Sequence, residues 1–160
     1  GVPCSGKSTW VENNLDKIQA RFNNAPVTVI SKDMIRESVY GDKNGWKMDR
    51  EKEKLVTDKY YKQLGIMATL KNAVVIVDNT NTTEDGIDRY FKIFKTMIDN
   101  GNVKMYVRFF DVPMYKIKMR NILRNMKTGK WVAWEYLDKY YANYKSINKL
   151  KYVDHIYYDE

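Results

Sequence analysis

The chain has 160 residues, 44% of them apolar, with 8 Gly and 3 Pro, enough to bury one core and too few for two full domains. No apolar run approaches the roughly 20 residues that span a bilayer, and Cys4 and His155 are each the only residue of their kind, so a membrane-spanning protein, a disulfide-stapled scaffold and a zinc centre are all disfavoured and a reducing cytoplasm is expected. The net charge of +8 is concentrated: residues 112–151 hold ten Lys and Arg against only Glu135 and Asp138, the footprint of a polyanionic partner or, more blandly, of a solvated helical face.

The first nine residues, Gly1-Val2-Pro3-Cys4-Ser5-Gly6-Lys7-Ser8-Thr9, match G-x-x-x-x-G-K-[ST] in full. Gly1 and Gly6 let the loop curl until backbone N–H groups, that of Ser5 included, converge on phosphate oxygens. A helix starting near Gly6, with Val11, Leu15 and Ile18 on one face, adds its positive dipole end. Lys7 supplies a mobile charge to the β and γ phosphates, Ser8 a hydroxyl for Mg²⁺, and Thr9 a contact to an α or β phosphate oxygen. Cys4 reads as a small loop filler. A loop of this kind ordinarily follows a buried strand, and because the sequence opens on the loop's first glycine, that strand is expected in a segment ahead of Gly1.

Next come Val27 to Ile30 (VTVI), Val74 to Val77 (VVIV) and Val103 to Phe110 (VKMYVRFF), read as strands, with a weaker one at His155 to Tyr158. The first two are apolar but for Thr28, as expected for burial on both faces of a parallel sheet. Val56, Tyr60, Leu64 and Met67 recur at helical spacing, as do Ile87, Phe91, Phe94 and Ile98, the latter behind Thr82, Thr83, Glu84 and Asp85. Strand and helix in alternation predict a three-layer α/β architecture around a central parallel sheet, with ligands at the carboxyl ends of the strands.

Three further groups lie where that architecture puts chemistry. After the first strand, Ser31 caps a helix on which Asp33 and Arg36 share a face; such a pair suits phosphoryl transfer to a hydroxyl, or simply supports an exposed helix. After the second strand, Asp78-Asn79-Thr80-Asn81 offers a carboxylate to the Mg²⁺ shell or to an arginine. After Asp111-Val112-Pro113, Arg120 and Arg124 stand one turn apart on a predicted helix, either as a lid over a triphosphate or as a solvated face. Trp131 and Trp134 suit lid or core packing better than stacking on a base.

Taken in order, GVPCSGKST, SKDMIRES, VIVDNTN and FFDVP followed by RNILR resemble the kinase domain of the bacteriophage-type polynucleotide 5′-kinase family from Gly1 to about Tyr144. The resemblance implies an adenylate-kinase-like P-loop NTPase fold with a helical lid, a single kinase domain over 1–160, ATP and Mg²⁺ as cofactors, and transfer of the γ phosphate to the 5′-hydroxyl of DNA or RNA in end repair. It assigns Lys7 and Ser8 to phosphate and magnesium, Asp33 to general base, Arg36 to the acceptor-phosphate clamp, and Arg124, with Arg120 beside it, to the lid. The family's third-motif aspartate aligns with either Asp78 or Asn79, and Asp78 is favoured for the metal. Relatives carry Val-Pro where this chain has Val132-Ala133, which leaves the lid's path open. A phosphatase half would lie beyond Glu160, an oligomer is possible, and a phage-encoded protein would work in the host cytoplasm. The rival readings are a small-metabolite (nucleoside or sugar) kinase on the same scaffold and a non-catalytic nucleotide-binding module.

Overall fold

In the computed structural model, which describes residues 1–41 and 49–158, strand β1 (Val27–Ile30) lies parallel to β2 (Val74–Val77) in a register that pairs Val27 with Val74 and Ile30 with Val77. The ladder runs one step past each end, through Val74 N–H to Pro26 O at 2.9 Å and Asp78 N–H to Ile30 O at 3.0 Å. Parallel strands need a long crossover. Helices α2 (Lys32–Tyr40) and α3 (Arg50–Ala68) lie on that connection, while α1 (Lys7–Arg21) precedes β1. α1 begins next to Gly6 and α2 after Ser31, as expected, and Asp49 caps α3. The Ser31 hydroxyl accepts Met34 N–H at 3.1 Å and the Asp49 carboxylate accepts Lys52 N–H at 2.9 Å, each filling a donor that the first helical turn leaves open. Val56, Tyr60 and Leu64 are buried on α3 at the expected spacing, as are Val11 and Ile18 on α1.

These elements form one compact unit, Lys7–Asn79; the other unit comprises Gly1–Gly6 and Thr80–Glu160. In the second unit, α4 (Glu84–Ile93) is capped by Thr83, whose hydroxyl accepts Gly86 N–H at 3.1 Å, and is followed by α5 (Lys95–Asp99), α6 (Met114–Thr128), α7 (Trp134–Lys145) and a 3₁₀ segment, Lys149–His155. Its core gathers Val2, Ile87, Ile117, Leu137, Tyr144 and Tyr152, so the second residue of the glycine loop is an anchor in that core.

The sheet departs from the three-layer expectation: among the described residues it has two strands, in a helix-rich α/β chain. The predicted strand at Val103 to Phe110 contributes a single parallel bridge, Val107 to Ile156, through Val107 N–H to His155 O at 2.6 Å and Tyr157 N–H to Val107 O at 2.9 Å. The predicted closing strand shrinks for the same reason. The 3₁₀ winding continues to His155, so extended backbone meets extended backbone over one residue pair. The helix expected through Ile98 breaks at Phe94, whose ψ of 9° takes it out of helical geometry. No helix among the described residues is long and apolar enough to cross a membrane.

Candidate functional site

In the unit Lys7–Asn79, the carboxyl ends of β1 and β2 carry two pairs of side chains. Ser8, in the first turn of α1, donates its hydroxyl to Asp78 Oδ2 at 2.5 Å, and Asp78 directly follows the last residue of β2. At the end of β1, on the first two turns of α2, Asp33 Oδ1 accepts from Arg36 Nη1 at 2.6 Å. Asn79 ties the two together, because its Oδ1 accepts Lys32 N–H at 2.9 Å and so holds the start of α2 to the end of β2. Asp78 and Asn79, which the motif left as alternatives, thus face different partners: the carboxylate meets the loop serine, the amide meets the helix that carries Asp33. The Asn79 Nδ2 donor is buried with no partner among the described residues.

Arg36 is more constrained than the sequence suggested. Its Nε lies 2.9 and 3.2 Å from the two carboxylate oxygens of Glu53, and Nη2 lies 2.9 Å from Oε2. The Tyr40 hydroxyl donates to Glu53 Oε1 at 3.1 Å and accepts Asp49 N–H at 3.3 Å. Glu53 raises the affinity of the guanidinium for its proton, and Arg36 in return holds the Glu53 carboxyl below the usual range. Asp33 remains exposed, with 70% of its side chain open to solvent. Sequence reasoning missed Glu53, for no local spacing rule connects residues 17 apart on two different helices.

In the other unit, the loop residues Gly1–Gly6 meet α6. Cys4 has φ 61°, unusual for a residue with a side chain, and Ser5 N–H closes a turn onto Val2 O at 3.2 Å. At Gly6, φ is 93°, and a Cβ there would stand 3.4 Å from Arg120 Nη1, so glycine serves both the backbone and the approach of that arginine. Arg120 Nη1 donates to Ser5 O at 3.1 Å, and Arg124 Nη1 lies 3.7 Å from Cys4 Sγ. The two lid candidates are therefore on the loop side of α6. The Ser5 hydroxyl is buried and without a partner among the described residues. Trp131 and Trp134 pack edge to face at 4.6 Å, with Lys118 Nζ 5.5 Å from the Trp134 ring. A second residue missed from sequence is Asn121, fully buried between the two arginines in the helix.

Chemically, the first unit offers a hydroxyl and a carboxylate at one point, the hard oxygen donors Mg²⁺ takes when phosphates and water complete its shell, and an exposed carboxylate on the neighbouring helix. The second offers two guanidinium groups against a glycine loop. Lys7 opens α1 and is half-buried, and Thr9 is exposed in the same turn.

A family model described as an AAA domain (AAA_33) matches residues 1–146. No curated protein matches the chain.

Proposed function

The chain belongs to this AAA-domain family of P-loop, kinase-like nucleotide-binding domains, and from that membership and the side-chain geometry we propose that it is a polynucleotide 5′-hydroxyl kinase, moving the γ phosphate of ATP to the 5′-OH end of DNA or RNA in end repair. The fold in this reading is a single adenylate-kinase-like domain with α6 as lid. The observation that carries it is the Asn79–Lys32 hydrogen bond. By joining the end of β2 to the start of α2, it ties the helix that carries the exposed Asp33 to the strand end followed by Asp78, which supports a reading of transfer to a hydroxyl.

Each residue then has a task. Backbone N–H groups of Gly1 and Gly6 and the start of α1 would hold phosphate oxygens, with Thr9 adding a contact, while Ser5 N–H is engaged by Val2 O at 3.2 Å and shapes the loop instead. Ser8 and Asp78 would hold Mg²⁺, whose charge offsets that of the β and γ phosphates. Lys7 neutralises charge on the transferring group, and Arg124, with Arg120, does so from the lid side. Asp33 takes the proton of the 5′-hydroxyl as the new O–P bond forms and the bond to the ADP bridging oxygen breaks. As a general base it contributes about 10²- to 10⁴-fold in rate. Arg36, which keeps N–H groups beyond those that Glu53 and Asp33 accept, orients an anionic group of the acceptor.

Incubation with γ-labelled ATP and a panel of 5′-hydroxyl oligonucleotides, 3′-phosphorylated nucleosides and simple sugars tests the reading. Label is expected on the oligonucleotides. Label confined to nucleosides or sugars would make the protein a small-metabolite kinase, and ATP binding with no labelled alcohol would make it a binding module. Asp33→Asn is expected to keep ATP affinity and lose turnover; turnover within a few fold of the parent removes Asp33 from the role of base.

A further inference from the structure

Asn121 is a fully buried polar side chain in the middle of α6. Its amide brackets one residue of the α6–α7 connection on both sides: Nδ2 donates to Val132 O at 2.7 Å and Oδ1 accepts Val132 N–H at 3.2 Å. The same Oδ1 lies 3.8 Å from the Cys4 thiol, so a single amide joins lid helix, connection and glycine loop. Neither helix start has another fastening of this kind, because Pro113 before α6 and Ala133 before α7 make no side-chain cap. Asparagine is the fitting residue type. It carries a donor and an acceptor on one planar group, as the peptide unit it mimics does, whereas aspartate accepts only and leucine does neither.

We infer that Asn121 is a positioning residue for the lid arginines, a role that rests on the kinase reading above and goes beyond it. The Lys118–Asp138 ion pair, at 3.0 Å, joins α6 to α7 through a long and partly exposed side chain, which leaves the helix room to roll about its axis, and the guanidinium groups of Arg120 and Arg124 sweep the widest arc. The bracket at Val132 fixes that roll from between them. Arg120 then stays on Ser5 O at 3.1 Å and Arg124 on Cys4 Sγ at 3.7 Å. A misplacement on the order of 1 Å costs about 10² in rate where catalysis depends on positioning.

The experiment compares Asn121→Leu, which keeps the branching and the number of side-chain heavy atoms and removes both hydrogen bonds, with the parent, Arg124→Ala and the double variant. For phosphate transfer to a 5′-hydroxyl oligonucleotide, Asn121→Leu is expected to lower kcat by about 10- to 100-fold with both KM values within about threefold, and to slow Arg124→Ala by clearly less than it slows the parent. A kcat within threefold of the parent, or losses that add, overturns the inference. The second readout does not use activity. Cys4 is the chain's sole cysteine, so its reaction rate with a disulfide reagent reports on the bracket, and Asn121→Leu is expected to raise it about tenfold while an equally destabilising Leu64→Ala does not. An unchanged thiol rate overturns the inference even where no alcohol is phosphorylated, an outcome that by itself sinks only the kinase reading. Should Asn121→Leu fail to fold, Asn121→Gln, which carries the same donor and acceptor one methylene further out, takes its place with the same criteria.

Discussion

Arg36 of α2 is bound side-on by Glu53 of α3: Nε and Nη2 both meet the carboxylate, at 2.9 Å for the closest contact of each. The same guanidinium reaches Asp33 with Nη1. A fork engaged on two edges has little rotational freedom left, so little ordering entropy remains to be lost when an acceptor arrives. Glu53 therefore holds Arg36 and, through it, the rotamer of Asp33, and in the proposed kinase it would act on the acceptor side without touching the acceptor.

Replacing Glu53 with glutamine is expected to cost about 1–2 kcal/mol of stability, since charge-assisted hydrogen bonds are worth more than neutral ones and the pair is only partly shielded, with 27% and 24% of the two side chains exposed. Urea unfolding reads this as a lower midpoint at unchanged slope. An unchanged midpoint would mean that the Glu53–Arg36 contact does not help to hold the two helices together.

The acid limb of the stability curve gives an independent check. Glu53 titrates at about 4.5 when unperturbed and below that in the folded chain, because Arg36 favours its ionised form. The folded state then binds its proton less readily than the unfolded state, so the stabilisation is complete above the unperturbed value and fades as the pH falls from there through the lowered one. Glu53→Gln has no such proton to take up. Its stability is expected to fall less steeply than the parent's below pH 4.5, and parallel curves would place the acid sensitivity elsewhere.

What the sequence disclosed about this molecule follows contact distance along the chain. The cap at Ser31, the Asp33–Arg36 pair and the buried Val56, Tyr60 and Leu64 all obey spacing rules within two or three turns. Val74 to Val77 was recognisable as a continuous apolar run, although in the two-stranded sheet all four residues are only half-buried. Val103 to Phe110 has similar composition but pairs at Val107 alone; composition reports that a segment avoids water, while a strand also needs a neighbour of matching length. Glu53 and Asn121 were invisible for a related reason. Their partners lie 17 and 11 residues away across turns, and a glutamate in a first helical turn or an asparagine between two arginines has an ordinary local explanation.

Asp78 and Asn79, adjacent in sequence, are expected to fail differently. Asp78→Ala removes the carboxylate beside Ser8, so in the proposed kinase, where the two would hold Mg²⁺, the Mg²⁺ concentration for half-maximal turnover is expected to rise by about tenfold or more, with acceptor KM little changed. Asn79→Leu unties Lys32 N–H from β2 and is expected to raise acceptor KM at unchanged Mg²⁺ dependence. If both variants shift the Mg²⁺ dependence equally, the division of roles between them is wrong.

The basic last third is less available than its composition implies. Lys118 pairs with Asp138, Lys145 and Lys149 with Asp111, and Lys151 with Asp88 and Glu84. Lys127, in the last turn of α6, is exposed and makes no described ion pair. A cation already neutralised by a carboxylate releases no counterion from a nucleic acid, so only the remainder contributes to salt-dependent affinity. For a single-stranded oligonucleotide, Lys127→Ala is expected to reduce the slope of log affinity against log salt by about 0.7, one phosphate's worth, while Lys149→Ala leaves the slope unchanged and lowers stability through loss of its Asp111 contact. Equal slopes for the parent and Lys127→Ala would remove the end of α6 from the strand's path, and a slope that falls with Lys149→Ala would mean that its ion pair opens when the strand binds.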